Sequence, residues 1–172
     1  MVQDALMGEQ SRYQVRFDWG VSGASAVAAD ADVLVWVDAL EPLAPPVHAL
    51  PADCAVIATG LAGVGETAAW ILALQEARQT RTSVAIVAAG AARHDGLRFA
   101  AEDMLAAGAL MDELETRGID AMNPEAAVAD AAYRSLKAGV RSMFDSVVGA
   151  GRLAGGLRIH RPHRDLMDGA VA

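Results

Sequence analysis

The sequence predicts an α/β domain of three layers, a mainly parallel sheet flanked by helices. Two patterns carry that expectation. Four short runs of branched and aliphatic residues recur along the chain, and segments with helical spacing of apolar residues lie between and after them. The last run, Ser83 to Gly90, is apolar without interruption, as a central strand buried on both faces is.

In chain order, QVRFDWG (14–20) alternates apolar and polar residues and ends in glycine, so it reads as a strand leading into a helix over Ser22 to Ala29. ADVLVWVDAL (31–40) and CAVIATG (54–60) are further strands, and the proline-rich EPLAPPVHALPAD between them is the clearest irregular connection. GVGETAAWILALQEARQ (63–79) is helical. From Glu102 to Arg117, the residues Met104, Ala107, Gly108, Met111 and Leu114 recur at three-and-four spacing, and Leu105 and Leu110 widen that apolar face, so the helix must be covered there. Gly118 supplies its C-terminal stop, and Asn123-Pro124-Glu125 is a helix start with asparagine as cap and proline at the first turn. No repeat is visible, and the chain reads as a single domain over 1–172 whose basic tail, 157–172, is expected to be solvated or frayed.

Composition excludes several classes. A net charge of −8 and a hydrophobic share of 53% describe an acidic, core-forming chain, which argues against nucleic acid as a partner and against general disorder. Charged residues, glycine or proline interrupt the apolar runs before they reach the roughly 18 to 20 residues of a membrane span, so the expectation is a soluble cytoplasmic protein with no membrane partner. The single cysteine, Cys54, sits in a strand-like setting and reads as core. The abundant alanine, leucine and valine leave room for a homo-oligomer.

In parallel α/β sheets ligands bind beyond the carboxyl ends of the strands, so the loops after the strands matter most. FDWGVSGASA places Asp18 at a strand end, and Gly20, Ser22 and Gly23 at a helix start whose amides could cradle a phosphate. ATGLAGVGETAAW has glycines but matches neither the Walker nor the dinucleotide pattern. AAGAARHDGLRFAAED carries Arg93, His94, Asp95 and Arg98 into Glu102 and Asp103, joining guanidinium groups to paired carboxylates. Those are the parts for phosphate and Mg²⁺ chemistry. Two adjacent acids at a helix start can equally just complement the helix dipole, and from spacing alone both readings stand. The histidines form no metal set, and there is no Gly-x-Ser-x-Gly or Cys-x-x-Cys motif.

Taken together, VAIVAAGAARHDGLRFAAEDMLAAGALMDEL, VIATGLAGVGETAAWI, NPEAAVADAAY, GAGRLAGGL and VRFDWGVSGASAVA resemble the 2-phosphosulfolactate phosphatase family over nearly the whole chain. The resemblance implies an Mg²⁺-dependent hydrolase of a small anionic phosphorylated substrate. Asp18, Arg98, Glu102 and Asp103 would be the catalytic set, with Asp18, Glu102 and Asp103 holding the metal and Gly20, Ser22, Gly23 and Arg93 binding phosphate. The chain also departs from the family pattern. Val21 stands where an arginine is usual, the Asn-Gly loop is missing, and Ala91 and Ala92 replace a Glu-Arg pair. These departures support an alternative, a catalytically inactive relative that binds an anion or a protein partner.

Overall fold

The computed structural model describes residues 12–94, 96–148 and 153–162. Strand β1 (Val15–Trp19) runs into helix α1 (Gly20–Val27), followed by β2 (Val33–Val37), the proline-rich connection and β3 (Ala55–Thr59). Helix α2 (Val64–Arg78) leads to β4 (Val84–Ala88), and a hairpin of β5 (Ala91–Arg93) and β6 (Gly96–Arg98) leads to α3 (Ala101–Glu115). Helices α4 (Pro124–Leu136) and α5 (Val140–Val148) and strand β7 (Arg158–Arg161) complete the described chain.

The main sheet has the order β1-β4-β2-β3-β7, with the first four strands parallel and β7 antiparallel to β3. The β1-to-β2 and β3-to-β4 crossovers run in opposite directions across the sheet and pass over opposite faces, as a common hand of connection requires. Side-chain alternation divides the core accordingly. Val33, Val35, Ile57 and Ile86 pack against α2, α3, α4 and α5, whereas Leu34, Trp36, Val56 and Val87 pack against α1 and the proline-rich segment through Leu43 and Leu50. The predicted three-layer architecture is therefore present. Strands β2, β3 and β4 are buried along their full length, which explains why their sequences are continuously apolar.

Two stop and start signals work as the sequence predicts. Gly118, at φ +82, lets its N–H reach Glu115 O while the N–H of Ile119 reaches Leu114 O, a Schellman closure of α3. Asn123 is fully buried, and its Oδ1 accepts both from Ala126 N at 3.0 Å, capping α4, and from Phe17 N at 3.1 Å on β1. One amide oxygen thus joins the helix start to the sheet edge. Asn123→Ala removes a cap and leaves a buried N–H unpaired, so a loss of about 2–4 kcal/mol is expected in urea unfolding; a loss below about 1 kcal/mol would show that neither bond matters.

The outward N–H groups of edge strand β1 are all occupied. Val15 donates to Ala121 O, Phe17 to Asn123 Oδ1 and Trp19 to Asp18 Oδ1. On the helical face, α3 and α4 meet so closely that a Cβ at Gly108 would lie 2.2 Å from Ala129 O.

Three features differ from the sequence reading. The stretch after β4, read as a loop, contains the β5–β6 hairpin. The helical segment beginning at Asn123 is followed by a separate helix, α5, whose Val140 and Phe144 are buried in the core. Part of the basic tail is ordered as β7, because Arg161 donates to Cys54 O at 2.8 Å and to Pro51 O while the strand backbone pairs with β3. His163 and Arg164, also read as tail, lie outside the described residues, as does Asp95. Cys54 is a buried free thiol, and burial pushes its pKa up.

Candidate functional site

The first turn of α3 carries both acids of the Glu102-Asp103 pair, and both are buried, at 6% and 3% exposure. Charges so placed need partners, because desolvation is costly. Asp103 finds them in the backbone: Oδ1 accepts from Ala39 N and Oδ2 from Gly90 N, each at 2.8 Å. Ala39 follows β2 and Gly90 follows β4, so one carboxylate ties together the ends of two neighbouring central strands. Burial pushes the Asp103 carboxyl up to about 7, with Asp38 and Glu102 adding to the rise and the two N–H bonds opposing it.

Glu102 faces Arg98 at the end of β6, four residues earlier, with Oε1 3.4 Å from Nη2. Asp38, at the end of β2, is the third member of the group. Its Oδ1 accepts from Leu40 N at 3.0 Å, and burial raises its pKa, with the charge of Glu102 contributing. Three carboxylates therefore share one region beyond the carboxyl ends of β2 and β4, with one arginine at their side. The sequence reading missed Asp38, although a lone aspartate ending the buried run VLVWV carries the same signal that singled out Asp18.

Asp18 is placed elsewhere. Alternation along β1 puts Val15 and Phe17 on the α2–α5 side of the sheet, and Arg16 and Asp18 on the α1 side, where Arg16 donates to Val27 O at 3.1 Å. Asp18 accepts from Trp19 N at 2.7 Å and lies against Gly23, where an added Cβ would be 2.7 Å from its Cγ. The structure thus brings Arg98, Glu102 and Asp103 to the start of α3 and places Asp18 on the α1 side of the sheet, beneath the start of α1. Among the described residues, no group of three or more His, Cys, Asp or Glu side chains is arranged to hold a metal ion.

The phosphate-binding candidates lie at the start of α1 and on the hairpin. Helix α1 begins at Gly20 (φ +61) with no side-chain cap and no acid in its first turn, and Ser22 is exposed there. Leu97 of the hairpin reaches over both Gly20 and Gly90, within 3.4 Å and 2.8 Å of where a Cβ would stand. Gly90 is held to glycine twice over, by φ +64 and by Arg98 O at 2.8 Å from the same position. Arg93 is exposed on β5. Beside the hairpin, Phe99 packs on Trp19 with ring centroids 4.9 Å apart.

The glycines of the second loop have a packing role. A Cβ at Gly60 would lie 2.7 Å from Ala154, and one at Gly63 would lie 2.7 Å from Gly156, so these residues admit the 153–157 segment across the turn. Thr59 is fully buried and donates to Gly60 O at 3.0 Å.

No helix among the described residues is long and apolar enough to cross a membrane. Comparison of the chain with protein-family models and with curated protein sequences finds no match to either.

Proposed function

We propose that the protein is a hydrolase of a small acidic phosphoester, working at the group formed by Asp38, Glu102, Asp103 and Arg98. The observation that carries this reading is the burial of Glu102 among two like-charged neighbours with a single guanidinium 3.4 Å away. An all-oxygen donor set of net negative charge suits a hard divalent cation, and Mg²⁺ commonly takes one or two carboxylates and completes its shell with water and substrate oxygens. Glu102 and Asp38 are the residues that would hold it. Bound there, Mg²⁺ would supply charge neutralisation to the phosphoryl oxygens and the leaving group.

The chain's own groups have separable tasks in this reading. Arg98 orients the phosphoryl group through its guanidinium fork, and the exposed Arg93 on the same hairpin draws the anion toward an acidic protein. The uncapped amides at Gly20, Ser22 and Gly23 offer donors to phosphoryl oxygens. Asp103 is a positioning residue, because both of its oxygens are engaged by backbone amides. Asp18 supports the α1 turn from below.

Phosphate release from 2-phosphosulfolactate and a panel of small phosphoesters, with Mg²⁺ or with chelator, tests the reading. Glu102→Gln should lower kcat by about 10²–10³ while leaving the fold intact, the size of effect seen when one preorganised electrostatic group is removed. The absence of release from every ester by folded protein with Mg²⁺ would sink the proposal. It would favour a non-catalytic anion binder, the reading motivated by Val21, a 38% exposed apolar side chain in the first turn of α1 where the resemblance expects arginine.

A further inference from the structure

The connection leaving β2 passes over the α1 face, whereas the one leaving β3 enters α2 on the opposite face. Chains that diverge in this way leave a crevice between adjacent strand ends, the place where α/β sheets receive ligands. Here the crevice opens into a cavity of about 450 Å³. It has Ala39 on one wall, Leu61 and Val64 on the other, and Val140 and Phe144 of α5 closing the end. That volume lies within the roughly 300–1,000 Å³ of small-molecule sites. The groups Arg98, Glu102 and Asp103 do not line it, although Ala39 joins the two regions by donating its N–H to Asp103.

Its lining has two characters. The inner wall is aliphatic and aromatic, while Tyr133, Lys137 and Arg141 stand together on the α4–α5 side. Lys137 is held in place by Asp112 at 2.8 Å and lies 5.5 Å over the Tyr133 ring. Arg141 is exposed, with no ion pair or hydrogen bond among the described residues, so its guanidinium keeps its full donor capacity. Asp145 also lines the cavity and Asp112 already pairs with Lys137, so among the described lining residues Arg141 is the cation left to meet a ligand. An arginine without a partner at the edge of an apolar pocket offers a forked, charged donor to a carboxylate that carries an apolar body.

We propose that this cavity binds a small amphiphilic carboxylate, its apolar body against Leu61, Val64, Val140 and Phe144 and its carboxylate on Arg141. The site is independent of the phosphoester reading and can hold whether or not that reading does.

Calorimetric titration of the full chain with octanoate, and with octylammonium as the charge-reversed control, tests it. Saturable binding of octanoate is expected, with none of octylammonium. Ala62→Trp, which fills the mouth of the cavity from an exposed position, should weaken octanoate at least tenfold. Arg141→Glu should weaken it by about tenfold or more, the loss of one charge-assisted pair. Circular dichroism of both variants checks that the fold persists. Failure of octanoate to saturate, equal binding of octylammonium, or octanoate affinity unchanged in both folded variants would each overturn the assignment.

Discussion

Asp103→Asn is expected to be least stable relative to the parent protein at the acid end, near pH 4, and to equal or exceed it above about pH 7. The sign follows from the direction of the shift. Burial raises the folded carboxyl from 3.8 to about 7, so the folded state holds the proton more tightly than the unfolded chain does. The stability contributed by this group is fully present below about pH 4, declines as pH rises through that window, and levels off above about pH 7. A shift of this size corresponds to about 4 kcal/mol across the window, an order-of-magnitude figure. Asparagine does not titrate, so the variant lacks that decline. It also carries a fixed cost of about 1–3 kcal/mol, because its one carbonyl oxygen can serve Ala39 N or Gly90 N but not both. Urea unfolding of the two proteins at intervals from pH 4 to pH 8 measures the difference. A gap that stays constant with pH would mean that Asp103 remains ionised throughout and that the two amide bonds outweigh burial.

Gly108→Ala should cost about 3 kcal/mol or more, although alanine is the better helix former by about 1 kcal/mol. The added methyl would stand 2.2 Å from Ala129 O and 2.8 Å from Tyr133 Cβ, so α3 and α4 must separate along their shared face. The nearest contact is a backbone carbonyl, which cannot rotate away as a side chain can. Gly65 provides the contrast, since a Cβ there meets nothing within 4 Å, and Gly65→Ala should be neutral or slightly stabilising. Thermal melts of the two variants side by side would decide. Equal melting temperatures would show that the interhelical approach is adjustable.

The fold was legible because each central element carried its own signal. Uninterrupted apolar runs gave β2, β3 and β4, and the Gly118 and Asn123-Pro124 signals fixed the end of α3 and the start of α4. The β5–β6 hairpin escaped because its strands are three residues each and form a sheet of their own instead of joining the main one. Strand β7 escaped because its pattern, Arg158-Ile159-His160-Arg161, is that of a charged edge rather than a core. At the site, Glu102, Asp103 and Arg98 could be grouped by their spacing on one helix and its approach. Asp38 and Asp18 could not be sorted from each other, since both end strands. Which face and which neighbouring loop each carboxylate meets depends on strand order, and the order β1-β4-β2-β3 is a long-range property that spacing along the chain does not encode.

The occupied amides of β1 bear on how this protein behaves when concentrated. A sheet grows into a fibre, or captures an extended peptide, by offering unpaired edge groups to a newcomer. On the β1 side a newcomer would first have to displace Ala121, the Asn123 side chain and the Asp18 carboxylate, and the second of these would uncap α4 in the process. Among the described strands, growth is left to the opposite border, where Arg161, and Arg158 beside its partner Glu41, set positive charge against another copy of the same strand. Strand-by-strand polymerisation of the native state is therefore blocked by structure at one border and by charge at the other. Raising the salt concentration removes only the second of these guards.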